Sequence, residues 1–289
     1  QPKRSPERPR RHLPRTLSID SLQGMELSLP HEMLDAERVA LPLAHPAYQS
    51  LAKAGDLKQD RAARLSFYAL EIPADQVVCR VTQVHSRRVV DASQEGRRGE
   101  TQRGGIAQRE KAGGGRAARD ERFLGEADGM VTAAGGPWLA VTVADCLPLF
   151  VFDEQTGAYG LLHSGWKGTG ILEDALGLMQ QRFGTEPEHV HVLAGAGIHA
   201  CCYEVSPERG EDFAAWGGDA VVTAGVGRSC GRPHLDLYAA NRHLARRLGI
   251  ATFTQVTSCT CCDDRFGSYR REGADAYTSM IALIGPRHQ

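Results

Sequence analysis

Residues 140–178 constrain this chain more than any other stretch. Two short apolar runs enclose a turn at 154–157, and their length and flanking turn residues fit a buried β-hairpin or a pair of adjacent strands. Polar, reactive side chains interrupt the runs in few places: Asp145 and Cys146 at the end of one strand, His163 at the end of the next. A glycine-rich turn at 165–170 then opens a helix. Reactive groups at strand ends, beside a glycine loop and a helix start, are a recurrent site geometry in α/β proteins.

The rest of the composition narrows the choice of chemistry. A chain of 289 residues is long enough for one large domain or two small ones, and its 42% apolar content supplies a normal core. The net charge of −1 gives no electrostatic basis for nucleic acid or an anionic membrane as the main partner. No apolar run reaches the length of a membrane span. Eight cysteines beside a normal core do not call for a disulfide framework, and several are adjacent or one apart, which suits thiols. A reducing, cytoplasmic setting is therefore expected. Residues 1–18 read as a disordered basic tail, since 1–15 is rich in Arg and Pro and lacks the apolar segment of a secretory signal. Organelle targeting and a nucleic-acid arm are the alternatives for that tail.

Periodicity predicts helices at 60–70, 171–183, 207–216 and 236–248. Ser206 is a candidate N-cap with Pro207 at the first helical position, and Gly249 stops the last of the four. β-Branched and apolar runs predict strands at 76–84, 129–134, 138–143, 147–152, 158–162, 189–194, 251–256 and 279–284. Residues 91–119 are dominated by Gly, Arg, Gln and Glu and read as a mobile surface insertion between two strands, with a lid over the site as the alternative. Strands and helices mix without strict alternation. The expectation is an α/β (α+β) fold: one domain over 19–289, with a mixed β-sheet flanked by helices.

Three side chains dominate the available chemistry. His85, Cys146 and His163 each follow or end an apolar strand. Imidazole and thiolate are preferred zinc donors, and three protein ligands with an open fourth position describe a catalytic zinc site. Neither a Cys-x-x-Cys nor a His-Glu-x-x-His motif holds any of the three, so spacing alone leaves them open as core or surface residues. Asp145 could orient an imidazole, hold substrate or simply cap a strand end. Backbone N–H groups of the 165–170 turn could hold an anion such as phosphate, with Lys167 beside them. Arg270 and Arg271, next to Tyr269, suit anion or nucleobase contacts. Cys201-Cys202 and Cys259-Thr260-Cys261-Cys262 form a second thiol-rich set; without a companion histidine at finger-like spacing, packing thiols are expected there rather than a second metal site.

Five segments occur in one order: Thr-Gln-Val-His at 82–85, Thr-Val-Ala-Asp-Cys-Leu-Pro at 142–148, Leu-His-Ser-Gly-Trp-Lys-Gly at 162–168, Ala-Gly-Ile-His-Ala-Cys-Cys-Tyr-Glu-Val at 196–205 and Phe-Gly-Ser-Tyr-Arg-Arg-Glu-Gly at 266–273. Together they resemble the YfiH family, also called the polyphenol oxidoreductase laccase-like or peptidoglycan-editing-factor family, to which the mammalian FAMIN proteins are related. The resemblance covers about 60–285, less the Arg/Gly insertion. It implies one α/β domain with a zinc ion held by His85, Cys146 and His163. The family's activities are phosphorolysis of adenosine, inosine, guanosine and methylthioadenosine, and deamination of adenosine. Its partners are then a small-molecule nucleoside and phosphate. Cys146, Asp145 and Arg270 are the candidate catalytic residues, and Lys167, Arg270 and Arg271 the candidates for phosphate. A copper laccase fits less well, because that chemistry needs several copper centres with many histidines. The same residues would also suit a hydrolase that edits cell-wall precursors, or a non-catalytic partner-binding protein with a structural zinc. The chain departs from the family in lacking a Ser-Leu-Asn-Leu-Gly-type segment near the N-terminus and in having His199-Ala200 before the Cys-Cys-Tyr.

Overall fold

The computed structural model describes residues 26–27, 38–41, 43, 45–94, 120–217, 222–224 and 231–287. The basic tail and residues 95–119 of the insertion lie outside the described residues. In chain order the elements are β1 (Glu26–Leu27), β2 (Arg38–Leu41), β3 (Ala47–Ser50), α1 (Arg61–Glu71), β4 (Val78–Thr82), β5 (Val89–Asp91), β6 (Glu121–Glu126), β7 (Gly129–Thr132), β8 (Trp138–Val143), β9 (Leu147–Asp153), β10 (Tyr159–Ser164), α2 (Ile171–Phe183), β11 (Val190–Ala194), α3 (Pro207–Gly217), β12 (Val222–Ala224), β13 (Pro233–Leu235), α4 (Leu237–Arg247), β14 (Thr252–Val256), α5 (Tyr269–Glu272) and β15 (Met280–Ile284). The helix starts follow their caps. Asp60 accepts from the Ala63 N–H at 2.9 Å ahead of α1, and Asp236 accepts from the Ala239 N–H at 2.8 Å ahead of α4. Gly184 ends α2 in the left-handed conformation, with φ of 69°.

The expected mixed sheet is two mixed sheets. A seven-stranded one runs β1-β14-β11-β9-β10-β7-β5 and a six-stranded one β2-β3-β15-β8-β4-β6; β12 and β13 form a separate ribbon. Period-two alternation assigns each side chain to a layer. On β8, Leu139, Val141 and Val143 meet Phe150 and Phe152 of β9 and Met280, Ala282 and Ile284 of β15, which fills the space between the sheets. Trp138 and Ala140 point the other way, with Ile281 and Leu283, onto Phe67 and Tyr68 of α1. The opposite face of β9, through Leu147, Leu149 and Val151, packs against Ile171, Leu172, Ala175 and Met179 of α2 and Leu237 and Leu244 of α4. The order of layers is helix, sheet, sheet, helices. Strands buried on both faces read as unbroken apolar runs, which is why β8 and β9 were legible as strands but not as members of different sheets. Each fully buried Leu or Phe of these layers contributes about 1.5–3 kcal/mol.

One topological detail positions the site. β4 lies parallel to both β6 and β8 in the six-stranded sheet, so the three strands end at one edge. From that edge the chain passes each time into the seven-stranded sheet: through 83–88 into β5, through 127–128 into β7 and through 144–146 into β9. No helix among the described residues is long and apolar enough to cross a membrane.

Candidate metal centre at the sheet crossings

His85 lies in the first crossing and Cys146 in the third, and His163 sits near the end of β10, in the seven-stranded sheet. Their ligand atoms come within 4.8 Å of one another. The two imidazole rings stand edge to face, with centroids 5.0 Å apart and planes at 74°. His85 and Asp145 are the non-glycine residues with positive φ among the described residues, at 59° and 86°. Such conformations cost roughly 1–3 kcal/mol and persist where surrounding bonds impose them. Asp145 makes the turn that sends the chain from β8 to β9 and sets the Cys146 side chain at the seam.

The bonds that impose the His85 conformation come from Asp128, in the second crossing, a residue that no sequence motif marks. Its buried carboxylate accepts from the N–H groups of Val84, His85 and Ser86, at 3.2, 3.0 and 2.6 Å, and from the Ser86 hydroxyl at 2.8 Å. It also bonds Nδ1 of His163 at 2.9 Å, which leaves Nε2 of that ring for a metal. Burial alone would raise the Asp128 pKa, but His163 and the Ser86 donors outweigh it and hold the carboxyl at about 2. Gly165 is required by contact: a Cβ there would stand 2.7 Å from Cys146 Sγ.

The three donors form a charged set. Burial would raise the Cys146 thiol, yet His163 and His85 beside it bring it down to about 6. Burial would lower His163, but the Cys146 sulfur and the Asp128 carboxylate raise it to about 9. At neutral pH the pair is thus a thiolate beside an imidazolium, and a metal ion would take the thiolate and displace the proton of the His163 ring. Zinc takes imidazole and thiolate donors at about 2.0–2.3 Å. Three such atoms within 4.8 Å, one of them an imidazole turned by a buried carboxylate, fit a three-ligand zinc site.

The other sequence candidates separate in space and in role. Asp145 holds neighbours rather than a histidine: Oδ1 accepts from the Thr260 hydroxyl and Oδ2 from the Arg270 N–H, both at 2.6 Å. Arg270 donates through its guanidinium to the carbonyls of Cys202 (3.0 Å) and Glu204 (2.9 Å) and lies over the Tyr203 ring. Arg271 donates to the carbonyls of Thr260, Cys261, Asp263 and Phe266 and to Glu272, so it clamps the 260–266 turn. Lys167 is exposed, its Nζ 5.5 Å from the centre of the Trp166 ring, and Arg209 covers that ring at 4.2 Å. Arg209 and Tyr203 were not singled out from sequence: nothing beside Arg209 marks a site, and Tyr203 stands in the 196–205 segment where the adjacent cysteines drew the reading. Tyr203 is pushed up to about 12 by burial and by the Cys146 charge, against the pull of Arg209 and Arg270. The Cys201, Cys202, Cys259 and Cys262 thiols do come together, as a set separate from the triad.

Residues 47–287 match the family described as multi-copper polyphenol oxidoreductase laccase. A purine nucleoside phosphorylase of Deinococcus radiodurans is 39% identical over 166 residues, covering 57% of this chain and 63% of that protein. An adenosine deaminase named RL5, from an unknown prokaryotic organism, is 31% identical over 169 residues, covering 56% of this chain and 64% of that protein. The match therefore spans under two thirds of the length of these relatives. The crystal structure of Bacillus licheniformis hypothetical protein YfiH has the same fold, with a TM-score of 0.70 at 21% identity over 87% of this chain and 97% of that one.

Proposed function

We propose that this chain, which belongs to the multi-copper polyphenol oxidoreductase laccase family, is a zinc-dependent purine nucleoside enzyme. It phosphorolyses adenosine, inosine, guanosine and methylthioadenosine, and it deaminates adenosine. The observation that carries this reading is the convergence of His85, Cys146 and His163 at one seam, in a chain similar to proteins named purine nucleoside phosphorylase and adenosine deaminase. When bound, zinc supplies Lewis acidity and acidifies water at neutral pH.

The protein's own groups divide the remaining work. Asp128 fixes the His163 ring through Nδ1 and sets the loop that carries His85. Asp145 ties Cys146 to the 260 turn and to the Arg270 backbone. Phosphorolysis requires a phosphate oxygen to bond C1′ of the ribose as the bond to the base breaks, so a dianion must be held beside the sugar. Lys167 and Arg209, both against the Trp166 ring, supply cations for it, and Arg270 supplies a third beside Tyr203. Arg271, bound to four carbonyls, keeps the turn in place.

The test is incubation of the zinc-loaded protein with adenosine or inosine and phosphate, followed by product analysis. Adenine, hypoxanthine and ribose 1-phosphate are expected, and Cys146→Ala is expected to abolish their formation. If none appears with zinc bound, the phosphorolytic reading is wrong. Two imidazoles and one thiolate also match a single copper centre of the electron-transfer kind, so metal content by mass spectrometry accompanies the assay; zinc is expected.

A further inference from the structure

The second thiol set carries a conclusion of its own. Cys201, Cys202, Cys259 and Cys262 bring their four sulfurs within 4.8 Å of one another, although the two pairs lie about sixty residues apart in the chain. The individual separations are 3.8 Å for Cys201–Cys202, 3.7 Å for Cys201–Cys262 and 3.3 Å for Cys202–Cys262. Four sulfurs at about 2.3 Å from one ion stand about 3.8 Å apart along the edges of a tetrahedron. The sulfurs are thus spaced as ligands of one small ion and lie well beyond the ~2.05 Å of a disulfide.

The backbone supports the same arrangement. Cys259 and Cys262 are a Cys-x-x-Cys pair on a tight turn, closed by bonds from the Cys262 and Asp263 N–H groups to the Cys259 carbonyl at 3.1 and 2.9 Å. The His199 N–H donates to Cys259 Sγ at 3.4 Å, as to a thiolate ligand. An ion with two positive charges and four thiolates carries a net charge of −2. Two guanidinium groups hold the loops that carry those thiols: Arg270 on the Cys202 carbonyl and Arg271, also paired with Glu272, on those of Thr260 and Cys261. Soft thiolate sets select zinc, copper(I) or iron–sulfur clusters, and a closed tetrahedron of four thiolates is the structural zinc arrangement.

We propose that Cys201, Cys202, Cys259 and Cys262 bind a second, structural zinc ion, distinct from the one at His85, Cys146 and His163. Its role follows from what it joins. The 259–262 turn is hydrogen-bonded to the 197–203 segment through Thr260 N–H and the Gly197 carbonyl, at 3.0 Å. Thr260 holds Asp145, whose own carbonyl accepts from the Ile198 N–H at 2.8 Å. The ion pins together the two loops that brace the residue next to Cys146. The proposal does not depend on the nucleoside chemistry.

The test uses the full chain carrying Cys146→Ala, which removes the only thiolate of the triad. The protein is stripped of metal under reducing conditions and titrated with Co2+. We expect one tightly held cobalt with an intense thiolate-to-cobalt charge-transfer band, displaced by one equivalent of Zn2+. Adding Cys202→Ser and Cys262→Ser in the same background should remove the band. A folded Cys146→Ala protein without the band, or a band that survives the two serines, overturns the site. X-ray absorption on the unmodified, zinc-loaded chain gives a check free of substitutions. Between two and three sulfur ligands per zinc on average supports the site, and one sulfur per zinc overturns it.

Discussion

At the residue scale the proposed metal centre depends on Asp128 as much as on His85, Cys146 and His163. This carboxylate bonds three consecutive N–H groups around His85 and the Nδ1 of His163. In Asp128→Asn one oxygen becomes an NH2 group. The Val84 and Ser86 N–H groups, both on Oδ2, or the His85 and His163 groups on Oδ1 then lose their acceptor. Metal affinity should fall 10–100-fold, the range for second-layer carboxylates on metal-binding histidines. Competition with a calibrated chelator measures this, and an affinity within twofold of the parent protein would remove Asp128 from the site. Gly165→Ala tests packing instead of polarity. Its Cβ would stand 2.7 Å from Cys146 Sγ, so both bound metal and turnover should drop sharply while the helical content holds. His85, Cys146 and His163 stood out in the sequence because each follows or ends an apolar run, but only the family resemblance joined them as one set. Asp128 did not, because Asp-Gly between two strands is also the commonest of turn signals. The Cys259-x-x-Cys262 spacing is visible in the sequence too, but no histidine stands at finger-like spacing to mark it as a metal site. Its partners are two further cysteines that only the fold brings near.

At the element scale the weakest sequence signal belongs to one of the best-anchored strands. β6 reads Glu-Arg-Phe-Leu-Gly-Glu and sits at the edge of the six-stranded sheet, so it has no apolar run to betray it. It is held by charge. Arg64 of α1 bonds both Glu121 oxygens at 2.9 and 3.2 Å, and Arg80 of β4 and Tyr68 of α1 add bonds at 3.2 and 3.3 Å. The ion pairs are almost fully buried, with side chains 6–8% exposed. Glu121→Ala leaves two buried guanidinium groups unmatched and should cost about 3–5 kcal/mol, read from denaturant unfolding. A loss below ~1 kcal/mol would show that water already screens the cluster. The same group sets an acid limit. Burial would raise the Glu121 pKa, but the two arginines outweigh it and hold it below the ordinary 4.5. A carboxyl depressed in the folded state adds stability that is complete above its unfolded pKa and is lost as pH falls through the folded one. The Glu121 contribution should therefore be intact above pH 4.5 and decline below it, and the parent protein should lose more stability there than Glu121→Gln does. Helices α1 to α4, in contrast, were legible close to their ends, because caps such as Asp60 and Asp236 and a 3.6-residue period mark them locally, whereas the single turn of α5 is too short to show a period.

At the scale of the molecule, the site is where two sheets are tied. β4, β6 and β8 leave one sheet at one edge, and the chain enters the other sheet by three short crossings that carry His85, Asp128 and Cys146. The sequence could not reveal this. Continuous apolar runs give strand identity but not sheet membership, and a crossing of two to six residues looks like a hairpin turn. The consequence is mechanical as well as chemical. An ion at His85, Cys146 and His163 would bind groups from two crossings and from β10, so it would tie two of the connections between the sheets to the seven-stranded sheet, in addition to the Leu139, Phe150 and Met280 layer between them. Binding to the folded state alone stabilises it by RT ln(1 + [L]/Kd), about 2.7 kcal/mol at a hundredfold excess over Kd. Thermal unfolding should therefore shift upward with free zinc and downward with chelator. Because the four-thiolate set also binds zinc, Cys146→Ala should keep part of that shift, and Cys146→Ala with Cys202→Ser and Cys262→Ser should lose nearly all of it. A Cys146→Ala shift equal to that of the parent would mean that the triad does not clamp the sheets and that the thiolate cluster alone carries the stabilisation.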